Sequence, residues 1–252
     1  MTTWRLDATR ALALSEARLL LRAPTLWVGA AVTTGLGVTS LRTGEVSAAA
    51  IRTDTGLAAL VLAGFLIVLG HLAASRDRRH GAWEAAAALP VRPVHRAVAL
   101  LVLVPVAGLV GALCLGLESL ALVAAWPAGV SGTGWALTAL IVPMIGAAIG
   151  VAAGSWLSST AAGPLTLFTL AAAMAVLPVL GDGAGSLPWR LFPVDMGSSP
   201  PVDVDWHLLY LLALLLAAVS TARLRHAPRR PLVVGALILA AALAVVAVRR
   251  GR

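Results

Sequence analysis

The distribution of charge constrains this chain more than any other feature of its sequence. The 252 residues include 19 arginines and 11 acidic residues, yet seven long apolar stretches contain a single charged side chain, that of Glu118. A helix needs about 20 apolar residues to cross a bilayer core of about 30 Å. The sequence therefore predicts an all-α polytopic membrane protein, a bundle of six to seven transmembrane helices in a single domain, 1–252. The predicted spans are 25–41, 57–74, 97–125, 135–157, 161–180, 207–222 and 232–248.

The overall composition excludes several other classes of protein. Apolar residues make up 60% of the chain and the mean hydropathy is +0.93, whereas a soluble domain is about 45–50% apolar. In so apolar a chain, the net charge of +8 indicates arginines held at the cytoplasmic face of the lipid bilayer, and no nucleic acid is expected as a partner. The only cysteine, Cys114, excludes an internal disulfide and a cysteine-based metal site.

The positions of the arginines predict the orientation of the helices. If the N-terminus is cytoplasmic, the cytoplasmic segments hold 13 of the 19 arginines and the outer segments hold six. This bias favours a cytoplasmic N-terminus, and the absence of lysine is typical of a GC-rich bacterial gene, so we expect a bacterial plasma membrane. Seven spans would put the basic tail, Arg249 to Arg252, outside. If 232–248 does not cross, six spans leave both ends inside.

Three polar segments flank the predicted spans. Residues 4–23 carry apolar and charged residues at helical spacing, which predicts an interfacial helix on the cytoplasmic surface that ends before Pro24. A simple extension of the first span is the alternative. In the cytoplasmic segment 75–96, the alanine-rich run 82–89 between a glycine and a proline predicts a short helix. The segment 181–206 is predicted to be an irregular extracytoplasmic loop.

Glycines and prolines within the spans predict local packing and bending. Gly146, Gly150 and Gly154 repeat every four residues and form a ridge of small residues, which allows two helix backbones to approach closely in lipid. Frequent small residues in an alanine- and glycine-rich chain are the alternative explanation. Pro105 and Pro143 lie inside predicted spans and are expected to kink them, because each removes a backbone donor.

Few side chains in the chain are suited to catalysis. A phosphate-binding loop of the type G-x-x-x-x-G-K-[ST] requires a lysine, so the chain lacks a conventional ATPase site. No pair of histidines has the spacing of metal ligands, and His71 is interpreted as a packed neutral histidine rather than a proton relay. We therefore expect no enzymatic activity, no metal and no cofactor in this chain.

Glu118 is the one charged residue within a span. A carboxylate in lipid is costly and normally faces the bundle interior or water. It could line a translocation pathway. Alternatively, it could be protonated, or it could pair with one of three arginines of the outer segments, Arg42, Arg52 and Arg190.

A distant alternative is an intramembrane serine protease. The sequence Gly129-Val130-Ser131-Gly132 with His207 is similar to the serine–histidine pair of the rhomboid family. However, Ser131 is predicted in a loop at the membrane surface, and Trp189-Arg190 follows the serine instead of preceding it.

The polar segments together resemble a transporter family. Residues 16–24 read EARLLLRAP, and the second predicted span is followed by RDRRHGAWE at 76–84 and LPVR at 89–92. In order and spacing, these segments are similar to the membrane subunit of type 2 ABC transporters over about residues 4–230. The family has six spans, so 232–248 departs from its pattern.

The resemblance implies a function for the cytoplasmic segments. The N-terminal segment would be an interfacial elbow, and residues 82–89 would form a coupling helix that docks on a separate ATP-binding subunit, which binds ATP and Mg²⁺. Two permease copies or paralogues would dimerise and export a lipid-like or amphiphilic compound. A non-transport assembly or regulatory protein is the alternative function. The implied coupling residues are Arg76, Arg78, Arg79, Trp83, Glu84 and Leu89.

The predicted orientation can be tested by labelling. In a Cys114→Ser background, cysteines introduced at Arg78 and Glu84 should react with a membrane-impermeant maleimide in inside-out vesicles but not in intact spheroplasts. A cysteine at Glu45, in a predicted outer segment, should show the opposite pattern. Labelling of Arg78→Cys or Glu84→Cys from outside would contradict the orientation and the coupling role together.

Overall fold

A computed structural model describes residues 3–39, 47–82, 93–122, 133–180, 204–226 and 231–250. Within these ranges all regular secondary structure is helical, in agreement with the predicted all-α class. The nine helices of the described residues are α1 (Thr3–Arg22), α2 (Pro24–Gly37), α3 (Ala48–Arg79), α4 (Pro93–Leu100), α5 (Leu103–Leu122), α6 (Thr133–Trp156), α7 (Ala162–Leu180), α8 (Val204–Leu224) and α9 (Pro231–Arg250).

The lengths and apolar character of these helices are those of a membrane-embedded protein. Four helical segments are long and apolar enough to cross a bilayer: Ala50–Arg79, Pro93–Ala121, Ala136–Trp156 and Asp205–Leu224. A fifth crossing is formed if α1 and α2, which meet at a bend of 60°, count as one broken span. The total of six to seven spans and the interfacial position of α1 stay predictions.

The helix that contains the second apolar stretch is longer than that stretch. α3 begins nine residues before position 57, where the hydroxyl of Ser47 accepts a hydrogen bond of 3.1 Å from the N–H of Ala50 and caps the helix. It continues to Arg79, and Gly81 then adopts a positive φ of 64° that ends it. Residues 48–56, predicted as part of an outer loop, are therefore helical, because polar residues can extend a helix beyond the lipid.

Two prolines within predicted spans have different effects. The span predicted over 97–125 is interrupted at Leu101–Val102, between α4 and α5. Pro105 has no N–H to donate to the carbonyl of Leu101, and that carbonyl accepts instead from Val104 at 3.1 Å. By contrast, α6 continues through Pro143 without interruption.

α3 and α6 form the most extensive helix pair and lie at the centre of the bundle. α2 and α7 also pack on α3, α5 and α8 pack on α6, and α9 packs on α8. α1 lies mainly against α4. The buried apolar core includes Leu26 of α2, Leu62 and Leu66 of α3, Leu103 of α5, Val151 of α6 and Leu211 of α8.

The glycine ridge of α6 lies directly against the backbone of α3. A Cβ atom on Gly146 would lie 2.5 Å from the carbonyl oxygen of Ala63, and one on Gly154 would lie 2.6 Å from that of His71. Between them, a Cβ atom on Gly150 would overlap the carbonyl oxygen of Ile67. Because these three glycines have no side chain, a backbone carbonyl of α3 occupies the space beside each of them, as in close helix pairs in lipid.

α3 contributes a glycine to the same contact. A Cβ atom on Gly70 would lie 2.9 Å from the carbonyl oxygen of Ala147 and 3.1 Å from the nitrogen of Val151. Small residues on both helices therefore bring the two backbones together, and dispersion contacts along their length hold them.

Substitution of the ridge should destabilise the bundle. In Gly150→Val the added side chain meets backbone, which cannot move aside cheaply, so we expect a loss of about 1–3 kcal/mol in the free energy of unfolding. The measurement is reversible unfolding in mixed micelles. Gly116→Ala is the matched control, because nothing lies within 4 Å of a Cβ atom there. It should leave stability unchanged or raise it by up to about 1 kcal/mol. Equal effects of the two substitutions would contradict the close contact.

Candidate functional site

Five helix ends carrying arginines or tryptophans meet at one end of the bundle, here called the basic end. The C-terminal ends of α3, α6 and α8, the C-terminal half of α1 and the N-terminal half of α4 all contribute to it. Arg96 of α4 lies 3.9 Å from the carboxylate of Asp77 of α3. Arg78 of α3 donates to the carbonyl of Gly154 of α6, and Arg225 beyond α8 donates to the carbonyl of Trp156 at 2.9 Å.

An ion pair ties α1 to this end. The guanidinium of Arg76 on α3 donates to the carboxylate of Glu16 on α1 at 2.5 Å. The side chain of Glu16 is only 12% exposed. Arg76 therefore compensates a negative charge that is largely shielded from water. Arg76 also lies 3.9 Å from Asp77, which makes Glu16, Arg76, Asp77 and Arg96 a chain of alternating charges across α1, α3 and α4.

The next two arginines of α3 bond near the ends of α3 and α6, Arg79 within its own helix and Arg78 to the end of α6. Arg79 donates to the hydroxyl of Ser75 at 3.1 Å and to the carbonyl of Leu72 at 3.0 Å, and Arg78 donates to Gly154 on α6. Positive side chains are favourable at helix C-termini, where carbonyl groups lack helical donors. The sequence-predicted residues Arg76, Arg78 and Arg79 are thus brought together, and each of them makes bonds within the chain.

A groove opens between α1, α3 and α4 at the basic end. Its volume is about 380 Å³, and its walls combine apolar side chains with the alternating charges described above. Ala82, the last described residue before the predicted coupling segment, lines this groove. Trp83, Glu84 and Leu89 lie outside the described residues. The predicted coupling segment therefore leaves α3 at the edge of the groove. Lining residues include Leu12, Glu16, Asp77, Ala82, Arg96 and Leu100.

Trp156 anchors the end of α8 to the end of α6. Its indole N–H donates to the carbonyl of Thr221 at 3.1 Å, and the guanidinium of Arg225 lies 5.8 Å from its ring centroid. Partial burial lowers the pKa of the neighbouring His226, and the positive charges of Arg225, Arg78 and Arg96 lower that pKa further. Burial first, and the surrounding arginines second, therefore favour the neutral form of this imidazole.

Glu118 lies away from the basic end, in the interior of the bundle. Its side chain is 2% exposed, and its carboxylate lies directly against the Cα atom of Gly37, where any Cβ atom would overlap it. None of the arginines that the structure describes forms an ion pair with it. Of the three partners considered from the sequence, Arg52 makes no such pair, and Arg42 and Arg190 lie outside the described residues.

The two faces of α5 differ in a way that fixes the direction of Glu118. Glu118 shares its face with buried Val110 and Cys114, whereas the opposite face is apolar and exposed. The carboxylate therefore points into a single copy of the chain. It could line a pathway only if that pathway ran within one copy. The exposed residues of α5 are Leu109, Leu113, Leu117 and Leu120.

The sequence analysis missed two polar residues beside Glu118. Thr33 of α2 and Thr55 of α3 are 2% and 4% exposed, and with Glu118 they line one small cavity. A threonine within or next to an apolar stretch is a weak signal, because its hydroxyl usually bonds to its own helix. Their common location depends on the packing of α2, α3 and α5, which the sequence alone does not reveal.

The histidines considered from the sequence have packing contacts. The Nε2 of His71 donates to the carbonyl of Ser159 at 2.9 Å, and its buried ring lies against Gly163. The ring of His207 contacts that of Tyr210, with 6.2 Å between centroids. Ser131, the proposed nucleophile of the protease alternative, lies outside the described residues. Across those residues no group of three or more histidine, cysteine or acidic side chains could hold a metal ion.

Comparison of the chain with protein-family models, with curated proteins and with solved structures gave no match. The sequence motifs and the geometry of the described helices therefore carry the functional argument.

The link between α1 and α3 can be measured with a double-mutant cycle. Glu16→Gln and Arg76→Gln should each lower the free energy of unfolding, with a coupling energy of about 1 kcal/mol, since Arg76 is partly exposed and screened by water. Unfolding in mixed micelles at low salt is the measurement. Asp7→Asn, an exposed change on the same helix, should not couple to Arg76→Gln. Additive effects of the first pair would contradict a stabilising bridge.

Proposed function

We propose that the chain is the permease subunit of a type 2 ABC transporter. It would form a membrane pathway together with a second copy or a paralogue and would be driven by a separate ATP-binding subunit. The proposal rests on the sequence resemblance over about residues 4–230 and on one structural observation, the joining of α1, α3 and α4 at the basic end.

The contacts among these three helices support the proposal because they hold both ends of the predicted coupling segment next to α1. The segment 83–92 connects α3 to α4, and the Asp77–Arg96 contact holds the two helices together next to it. α1 lies against α4 and is tied to α3 by the Glu16–Arg76 ion pair. An elbow helix beside a coupling segment on one face is the arrangement that the resemblance implies.

The charge of the basic end supports a cytoplasmic location for it. Arginines from α3, α4 and the end of α8 all lie there, and a cytoplasmic excess of arginine is the strongest orientation signal in a membrane protein. A bacterial plasma membrane, a cytoplasmic N-terminus and six to seven spans belong to the same proposal. An ATP-binding subunit would then reach the coupling segment from the cytoplasm.

The fold provides a route from the coupling segment into the membrane. α3 runs as one helix from Ala48 to Arg79 and is in close backbone contact with α6, so a displacement of one helix would displace the other. ATP-driven closure of the partner subunits would push on the coupling segment and shift the inward–outward equilibrium of this helix pair. Binding energy in the partner is thereby converted into a rearrangement of the permease.

The exposed apolar face of α5 is consistent with a lipid-like or amphiphilic substrate. Four leucines follow one another along this helix without an intervening polar group on that face. Such a face can contact lipid, a second permease copy or an apolar substrate. We propose export of an amphiphilic compound on this basis, with the pathway formed between two copies.

The coupling contact can be tested with a reconstituted transporter. The chain is co-expressed with the products of the genes that neighbour its own, and co-purification and ATPase activity are measured. Trp83→Ala and Glu84→Arg should each weaken assembly, with Trp83→Ala costing about 2 kcal/mol, roughly 30-fold in affinity, as for a central interface residue. The ATPase activity measured in the presence of the permease should fall as assembly weakens.

The control variant is Glu45→Arg, which introduces the same charge change in a predicted outer segment. It should leave assembly and ATPase activity unchanged. Failure of the wild-type chain to assemble with any ATP-binding subunit would favour the non-transport assembly or regulatory role. Assembly that is unaffected by both coupling variants would contradict the assigned contact.

A further inference from the structure

A small cavity beside Glu118 is lined by side-chain oxygen atoms. Its volume is about 10 Å³, which is room for roughly one water-sized particle. Three polar side chains line it, and each is at least nine-tenths buried: Thr33 of α2, Thr55 of α3 and Glu118 of α5. Three separate helices therefore direct polar groups to one point in an otherwise apolar core.

One oxygen atom of each of these three side chains is buried without a hydrogen bond of good geometry. These atoms are the hydroxyls of Thr33 and Thr55 and one carboxylate oxygen of Glu118. The Thr55 hydroxyl also lies close enough to the Glu118 carboxylate to interact with it. Buried polar atoms in folded proteins are almost always satisfied by protein, water or an ion. Three unsatisfied oxygens around one cavity therefore indicate that the cavity has an occupant.

A backbone carbonyl of a cavity-lining residue is the next candidate oxygen. Pro143 of α6 has no N–H, so the carbonyl of Ala139 loses its helical donor. Ala139 lines the cavity, and its carbonyl oxygen faces Gly111 on the same side, 3.1 Å from where a Cβ atom of that glycine would lie. A carbonyl released by proline next to a buried carboxylate is a typical source of a cation ligand in membrane helices.

The charge around the cavity selects the kind of occupant. Glu118 is buried without an ion pair to any described arginine. A buried carboxylate that stays ionised needs a compensating positive charge. Glu118 is the acidic residue that lines the cavity, so one monovalent cation would neutralise the site, whereas a divalent ion would leave an excess charge there. Oxygen ligands also favour alkali and alkaline-earth ions over transition metals.

We propose that this cavity binds one sodium ion, held by the Glu118 carboxylate, the Thr33 and Thr55 hydroxyls and the Ala139 carbonyl. The ion would join α3 and α6 to each other and to the neighbouring helices α2 and α5. The small volume favours Na⁺ over the larger K⁺. The close fit of the Glu118 carboxylate against Gly37 keeps the carboxylate in this position.

The site can be tested on the purified chain without a partner subunit. Thermal unfolding is followed in detergent at pH 7.5, with NaCl replaced by KCl or choline chloride at constant ionic strength. Na⁺ should raise the midpoint in proportion to the logarithm of its concentration above the dissociation constant, by roughly 5–10 °C at a 100-fold excess. KCl should give a smaller shift and choline chloride none. Binding of ²²Na⁺ by scintillation proximity gives the stoichiometry directly, with one ion per chain expected.

Matched variants separate the site from general stability. Glu118→Gln, Thr33→Val and Thr55→Val preserve side-chain size. Each should abolish the Na⁺-dependent shift of the midpoint or lower the apparent affinity for Na⁺ at least tenfold. Thr221→Val is the control, because the Thr221 hydroxyl donates to the carbonyl of Ala217 on its own helix at 2.8 Å. It should retain the full shift. If Glu118→Gln does not fold, Thr33→Val and Thr55→Val still decide the question.

Three results would overturn the proposal. An unfolding midpoint that depends on pH but not on Na⁺ would show that Glu118 is simply protonated. A second contrary result is a midpoint that depends on neither pH nor Na⁺, while Arg42→Gln or Arg190→Gln destabilises the protein as strongly as Glu118→Gln does. This result would show that an arginine occupies the place of the ion. Equal stabilisation by choline would show a general salt effect. Because ATPase coupling is not measured here, the sodium site and the transporter assignment can fail independently.

Discussion

The contact between the α3 and α6 backbones determines how the rest of the bundle is arranged. In lipid there is no hydrophobic driving force between helices, so association depends on how closely their surfaces fit. Gly70 on one helix and three glycines on the other allow carbonyl groups to lie where side chains would otherwise stand. The remaining helices then pack around this pair, with α2, α5, α7 and α8 each in contact with one or both of its members.

The same pair connects the two polar regions of the protein. At the basic end, Arg78 of α3 reaches the carbonyl of Gly154, the last glycine of the ridge. Further along the helices, Thr55 of α3 and Ala139 of α6 lie beside the Glu118 cavity. Apolar contact fixes the relative position of α3 and α6, and polar groups are then placed at both sites by the helices themselves rather than by loops.

The sequence predicted the features that depend on local composition. The all-helical class and the membrane-embedded character follow from long stretches without charge, and the interruption at Leu101–Val102 follows from Pro105. Helix ends were less predictable: α3 extends from Ala48 to Arg79 because a serine cap and alanine residues continue it through polar sequence. Apolar stretches mark where lipid lies, and helices can continue beyond them.

The candidate sites depended more on tertiary structure. The arginines of segment 75–96 were found by their density, but the bonds to Glu16 and Gly154 require partners from distant parts of the chain. Glu118 was apparent as the one charge in a span. Its neighbours Thr33 and Thr55 were not, because they lie 85 and 63 positions away in sequence. Only the packing of three helices brings these groups together.

The interruption between α4 and α5 has a mechanical consequence. A continuous helix resists bending along its whole length, whereas a site where shorter-range hydrogen bonds replace some helical ones bends at a lower energetic cost. α1 packs mainly on α4, before this interruption. A force applied near Pro93 would therefore act on α1, α3 and α4 together, because ion pairs tie α1 and α4 to α3. The interruption at Leu101–Val102 would reduce the transmission of that force into α5.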